Sequence, residues 1–237
     1  MEWRESNGVK WLEADLGSAR AAFSTRLGGV SEPPFESLNL DLLTGDAEEA
    51  VVENQRRMAA ALGLEREQLP FARQVHGTAL VDHRVNSAEG IVEADGHVVG
   101  EPGSAALVFV ADCLPVALAG PGGVAVVHAG WRGLAGGILA AGAEAVGATS
   151  AAIGPGIGPC CYEVGDEVLG AFADLGEGVA QGRMLDLPEV ARRRLAEAGV
   201  ERVESAGLCT SCEPELFFSH RRDEGRTGRQ AGVAWLS

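Results

Sequence analysis

His76, Cys113 and His128 are the side chains best suited to share a metal ion. Each closes an apolar stretch and is followed by a turn, as in Gln74-Val-His-Gly77, Ala111-Asp-Cys-Leu-Pro115 and Val126-Val-His-Ala-Gly130. Imidazole and thiolate suit zinc, and three protein ligands leave a fourth position for water or substrate. Their separations of 37 and 15 positions match no short zinc signature. A buried cysteine with two core histidines is therefore the competing reading. A second chemistry needs no metal: Cys113 as nucleophile and His128 as base, acting on an amide or ester.

Other residues surround this set. Asp112 ends an apolar run, where an unpaired acid is costly to bury. It can orient a ligand, act as general acid or base, or cap a turn. His128-Ala-Gly-Trp-Arg-Gly133 leads from a strand through glycine into a helix start, a setting that favours anions. Arg132 can add a bidentate contact to phosphate or carboxylate there, or serve a structural acceptor. Arg221, Arg222, Arg226 and Arg229 fall within nine residues. They can neutralise phosphate locally or belong to a solvated loop.

Cys209-Thr-Ser-Cys212 has CxxC spacing, but Cys160-Cys161 is not spaced as its partner pair in a four-cysteine zinc site. These four are expected to be structural or to wall the pocket. His83 and His97 lie among polar residues and are expected at the surface.

The bulk numbers narrow the partners. The chain has 237 residues, a net charge of -15 and 46% hydrophobic residues, enough for a filled core. Such acidity lacks the basic footprint of nucleic-acid binding and suits anionic membranes poorly. No basic and apolar leader precedes residue 17, and no apolar run is long enough to span a bilayer. A cytoplasmic monomer or homodimer is expected, with odd cysteines available for a metal or for catalysis rather than disulfides.

The elements that would hold these residues follow from periodicity. Residues 1–9 read as an irregular start and 21–25 as a strand. Residues 46–62 have helical spacing, with Asp46 as N-cap and Gly63 just beyond the end. Strands are predicted at 72–75 and 79–81, meeting at Gly77. Further strands are predicted at 105–110, 116–119, 124–127, 151–153 and 232–236. Helices are predicted at 134–146, 166–175 and 187–198. Helices and strands mix without strict alternation, so the fold class is α+β, one domain over 1–237 with mixed sheets.

Taken together, the motifs resemble the YfiH-like laccase-domain family. The matching segments are Thr25-Arg-Leu-Gly-Gly-Val-Ser31, Pro34-Phe-Glu-Ser-Leu-Asn-Leu40, Gly45-Asp46 with Asn54, Gln74-Val-His-Gly77, Ala94-Asp95 and Ala111-Asp-Cys-Leu-Pro-Val116. They continue with His128-Ala-Gly-Trp-Arg-Gly133, Ile153-Gly-Pro-Gly-Ile-Gly-Pro-Cys-Cys-Tyr-Glu-Val164, Phe218-Ser-His-Arg-Arg-Asp223 and Thr227-Gly-Arg229. The resemblance implies an α/β/β/α layering and zinc on His76, Cys113 and His128, with copper the alternative metal. It implies phosphorolysis of adenosine, inosine, guanosine and methylthioadenosine, with adenosine deamination as a second activity. Asp112, Cys113 and His128 would then be catalytic, and Asn39, Arg132, Arg222 and Arg229 would bind nucleoside or phosphate. A peptidoglycan precursor is the other substrate linked to this family. No blue-copper pattern of clustered His, Cys and axial Met is visible. One departure bears on local packing: Asp95-Gly96-His97 stands where the family commonly has Asp-Ala and an apolar residue.

Overall fold

The computed structural model describes residues 1–85 and 92–236. Its strands are β1 (Glu2–Ser6), β2 (Val9–Asp15), β3 (Ala19–Ser24), β4 (Val81–Asp82), β5 (Gly96–Val99), β6 (Ala105–Val110) and β7 (Leu114–Gly120). They continue as β8 (Gly123–Ala129), β9 (Ser150–Ile153), β10 (Ala180–Gln181), β11 (Met184–Leu185), β12 (Arg202–Ser205) and β13 (Gln230–Leu236). The helices are α1 (Glu48–Ala61), α2 (Trp131–Gly136), α3 (Ile138–Val146), α4 (Asp166–Gly170) and α5 (Leu187–Glu197).

Two large sheets form. One runs β1-β2-β3-β13-β6 and is antiparallel throughout. The other runs β12-β9-β7-β8-β5-β4 and is mixed, since β12 joins β9 and β4 joins β5 in parallel. Alternation along the strands sorts the core into layers. Leu12, Ala14, Ala21, Phe23, Ala106, Val108, Ala117, Ala119, Val124 and Val126 fill the seam between the sheets. Val116, Leu118, Ala125 and Val127 face the other way, onto Leu134, Ile138, Leu139 and Ala143 of α2 and α3 and Leu195 of α5. Leu107 and Phe109 of β6 face Met58 and Ala59 of α1. The result is the expected α/β/β/α layering. Alanine-rich strands bring the two sheets together, so the small-residue composition has a packing role.

Several local expectations change. Residues 1–9 are not irregular: Asn7-Gly8, with φ of 51° and 81°, closes a tight hairpin between β1 and β2. Such a pair suits a turn that needs two positive φ values. Asp46 is not the N-cap of α1, which is Ala47. The Asp46 carboxylate instead accepts from the Ala47 N–H and the Asn39 amide. The predicted helix over 134–146 breaks at Gly137, whose φ of 91° ends α2 and begins α3. Only a bridge between Arg73 and Glu93 replaces the predicted strand at 72–75. The helix over 166–175 stops at Gly170 and resumes as a short 3-10 turn, Ala173–Leu175. Among the described residues, no helix is long and apolar enough to cross a membrane.

His97 is also corrected. It lies buried on β5, stacked on His83 with ring nitrogens 2.9 Å apart. Burial, then the neighbouring His83, pulls it down to about 3. The preceding Gly96 explains the departure at this point. A Cβ there would lie 2.6 Å from Leu80 Cδ2 and 2.9 Å from Val127 Cγ1.

Candidate metal centre and cavity

β7 and β8 pair antiparallel, with Pro115 opposite His128. Cys113, one residue before β7, therefore meets His128 at the same end of the sheet. His76 arrives on a different segment, with φ of 59°, in the left-handed region that costs a non-glycine residue energy. One carboxylate holds that segment in place. Asp95 accepts the successive backbone N–H groups of Val75, His76 and Gly77 at 3.1, 2.9 and 2.7 Å. Behind them, Gln74 clamps Phe109 of β6, donating to its carbonyl at 2.8 Å and accepting its N–H at 2.7 Å.

One ligand atom each from His76, Cys113 and His128 lies within 4.8 Å of the others. The rings of His76 and His128 meet edge to face at 4.7 Å. His128 Nδ1 lies 2.8 Å from Asp95 Oδ1, so Nδ1–H donates to the carboxylate and Nε2 is left for a ligand role. Gly130 makes the close approach possible. A Cβ at that position would lie 2.9 Å from Cys113 Sγ and 3.2 Å from His76 Cδ2.

The charges fit this arrangement. Burial opposes the Cys113 thiolate, but the charge and hydrogen bonds of His128 and then His76 prevail and bring the thiol down to about 6. Burial likewise opposes the charged His128, and the thiolate and Asp95 raise it to about 9. Burial pushes the Asp95 carboxyl up, but the hydrogen bonds from His128, Gly77 and Val75 outweigh it and hold it below its ordinary value. One imidazole is thus oriented by a carboxylate, a thiolate forms at neutral pH, and a second imidazole faces both. That donor set suits zinc and leaves room for a further ligand.

These residues floor a cavity of about 530 Å³, walled by Asp112, Trp131, Arg132, Tyr162, His220, Arg221 and Arg229 among others. Asp112 is buried with φ of 85°. Its two carboxylate oxygens accept the Thr210 hydroxyl at 2.6 Å and the Arg221 N–H at 2.7 Å. Arg132 lies over the Trp131 ring, 4.4 Å from its centroid, and Arg221 lies 5.3 Å from the centre of Tyr162. Burial pulls the Arg229 guanidinium down, against the charges of Asp41, Cys113 and Asp112. Tyr162 is pushed up to about 12 by burial and then by Cys113, so its hydroxyl stays a donor.

Not every expected site residue reaches this cavity. Arg222 does not line it: its guanidinium pairs with Asp223 and donates to the carbonyls of Thr210 and Phe217 at 2.9 and 3.0 Å. Asn39 is also off the wall. Its buried amide accepts the Arg229 N–H at 2.9 Å and donates to Thr44 and Asp46, so it sets the backbone that carries Arg229. Arg221, one of the four tail arginines, does line the cavity, while Asp95, Gln74, Tyr162 and His220 are site residues that sequence reasoning does not single out. The available signal for Asp95 was a lone acid entering the apolar β5. The four remaining cysteines do not wall the cavity. The spacing objection to grouping them fails as well, because their sulphurs converge to within 4.8 Å elsewhere.

Comparison with known proteins gives the family. A family model described as multi-copper polyphenol oxidoreductase laccase matches residues 20–237. The chain is 39% identical to the purine nucleoside phosphorylase YfiH of Escherichia coli K12, over 99% of this chain and 97% of that protein. It superposes on the crystal structure of YlmD from Geobacillus stearothermophilus with a TM-score of 0.87 and 36% identity, covering 98% and 97% of the two chains. The crystal structure of Neisseria meningitidis NMB0706 gives a TM-score of 0.86 at 36% identity, covering 98% of this chain and all of the other. With the layered fold, the His-Cys-His cluster and the match over most of its length in agreement, the chain belongs to the YfiH-like, laccase-domain family.

Proposed function

We propose that residues 1–237 act as one catalytic domain, a zinc-dependent purine nucleoside phosphorylase. One observation carries this reading: in a chain of net charge -15, three arginines share a cavity with a His-Cys-His cluster. Such local positive charge in an acidic protein marks a site for a small anion. Relatives that are purine nucleoside phosphorylases suggest the class, purine nucleosides with phosphate.

Phosphorolysis joins a phosphate oxygen to the ribose anomeric carbon as the glycosidic bond breaks and the purine leaves with a proton. Arg132, Arg221 and Arg229 are the groups that hold phosphate. Trp131 and Tyr162 back the Arg132 and Arg221 guanidinium groups, and the Tyr162 hydroxyl donates. Asp112, accepting from Thr210 and Arg221, is the carboxylate placed to assist proton transfer. His76, Cys113 and His128 would hold zinc, which when bound supplies positive charge and an open position for Lewis-acid chemistry. Adenosine deamination, in which water replaces the amino group as ammonia, is the proposed second activity, and zinc held there would supply the activation of that water. Adenosine, inosine, guanosine and methylthioadenosine are the proposed substrates.

The test is turnover of inosine and adenosine by the zinc-loaded protein, with and without phosphate. Phosphate-dependent release of hypoxanthine and ribose 1-phosphate supports the reading. Release of the purine base that ignores phosphate, or no base release from inosine or adenosine, overturns it, whereas phosphate-independent conversion of adenosine to inosine reports the second activity.

A second reading has one observation in its favour. Asp95, His128 and Cys113 line up as carboxylate, imidazole and low-pKa thiol, the order of a cysteine hydrolase. His76 argues against it, because a nucleophile and base need no second imidazole at the sulphur. Rapid stoichiometric acylation of Cys113 in metal-free protein would favour the hydrolase, and chelator-sensitive phosphorolysis would favour zinc.

A further inference from the structure

Outside the cavity, two loops approach each other behind its Tyr162 wall. The loop after β9 carries Cys160 and Cys161, and the segment after β12 carries Cys209 and Cys212. A short bridge joins them: Gly156 N–H donates to the Leu208 carbonyl at 3.3 Å, and Thr210 N–H donates to the Gly156 carbonyl at 3.0 Å. All four sulphurs then fall within 4.8 Å of one another.

We propose that Cys160, Cys161, Cys209 and Cys212 form a structural tetrathiolate site for one zinc ion, separate from the cavity. Three features support a metal over bare thiols or a disulfide. First, Cys212 Sγ lies 3.3 Å from Cys160 Sγ and 3.4 Å from Cys161 Sγ. A disulfide joins one pair at about 2.0 Å, whereas Cys212 Sγ is shared between two sulphurs at similar, longer distances. Sulphurs on a tetrahedral zinc with bonds of about 2.3 Å stand roughly 3.8 Å apart, close to this spacing. Second, backbone N–H groups converge on Cys209. Gly158 donates to its sulphur at 3.3 Å, and the N–H groups of Ser211 and Cys212 also face it. Amides directed at sulphur stabilise a thiolate and hold it in place as a ligand. Third, the four donors are all soft, and they close the coordination shell with no open position. That is the composition of a structural site, not a catalytic one. Sulphide-bridged iron clusters set their cysteine sulphurs farther apart than a single ion does, so one redox-inert ion fits this cluster better.

The site has a job in the fold. Tyr162 follows the first cysteine pair directly, and Thr210 lies inside the second and donates to Asp112. An ion at this corner would tie both walls of the cavity together, reinforcing the short bridge and the Gly158–Cys209 contact. The inference stands independently of the activity proposed above, because none of the four cysteines lines the cavity.

The experiment uses the full chain and a His76→Ala/Cys113→Ser/His128→Ala variant that lacks the cavity ligands. Zinc is counted by mass spectrometry, and cobalt replaces it for absorption spectra. The expected result is about two zinc ions per wild-type chain and about one in the variant, with cobalt–thiolate charge-transfer bands retained in the variant. Cys160→Ser/Cys212→Ser should remove one zinc and the variant's thiolate bands while leaving zinc in the cavity. Should either variant fail to fold, zinc-edge X-ray absorption of the wild type decides. Sulphur-rich coordination averaged over two ions supports the site, and one zinc with a single sulphur overturns it. Iron with acid-labile sulphide, or fewer than five reactive thiols in the denatured, unreduced chain, overturns it equally.

Discussion

Asp95 Oδ1 stands 2.8 Å from His128 Nδ1, and the same carboxylate takes the N–H groups of three successive residues around His76. One side chain therefore aims both histidines of the cluster, one through its ring and the other through its backbone. Asp95→Asn keeps the size but loses the charge, and its amide N–H₂ confronts donors. Zinc affinity is expected to fall roughly 10- to 100-fold, the usual scale for losing such a supporting carboxylate. Competition against a chelator of known affinity measures it. Unchanged affinity would remove Asp95 from this role.

Gly130→Ala tests the crowding directly. Its new Cβ would come 2.9 Å from Cys113 Sγ, a contact that forces the sulphur or the backbone to move. The variant is expected to keep its circular dichroism and most of its thermal stability while losing cavity zinc and activity. Full zinc content with wild-type turnover would show that the site tolerates the shift.

The Cys113 thiol, at about 6, should react with an alkylating agent in chelator-treated protein with a midpoint near that pH instead of near 9. His128→Asn should return the midpoint upward, because the largest favourable influence on the thiolate is gone. Stability should respond far less. The Cys113 contribution is present above the unfolded thiol pKa and is lost as pH falls through 6. The His128 contribution is present below 6.5 and is lost as pH rises through about 9. The two slopes oppose each other between those values, since the pair has moved one proton from sulphur to nitrogen without releasing it. Chemical denaturation from pH 6.5 to 8.5 and the alkylation profile check both halves of the statement.

Arg229 and Arg222 should separate cleanly. Arg229→Ala is expected to raise the phosphate KM at least tenfold, as one charge-assisted contact to an anion is lost. Arg222→Ala removes bonds to Thr210, Phe217 and Asp223 and should destabilise the fold by about 1–3 kcal/mol with a smaller change in phosphate KM. Steady-state kinetics and denaturant titration distinguish them. The opposite pattern would place Arg222, not Arg229, at the anion.

The apolar strands of the two sheets were legible because long buried runs at 105–110, 124–127 and 232–236 leave few alternatives. Edge strands were not. β1 is exposed along most of its length and β12 is half polar, so neither shows an apolar face. β5 was hidden by His97, a polar letter in a fully buried strand. At the site, residue type was enough to single out His76, Cys113 and His128 as a possible group. Spacing could not show that Asp95 serves residues 18 to 33 positions away. Nor could it show that two cysteine pairs about fifty residues apart would face each other, because that rests on how two loops meet. Within the arginine-rich tail, adjacent letters took opposite roles. Arg221 faces the cavity while Arg222 is held by carbonyls, a distinction that only backbone direction decides.

β13 lies between β3 and β6, in the interior of the five-stranded sheet. A strand late in the sequence thus separates two that come much earlier in it. Until residues 230–236 leave the ribosome, β3 and β6 have no partner between them, and the stretch bearing Arg229 has nothing to anchor it. The site is therefore assembled after synthesis of the tail and not during it. A growing chain carries His76, Cys113 and His128 well before the cavity around them is complete, and any nascent chain stalled short of β13 should expose two apolar strand edges for chaperones to cover.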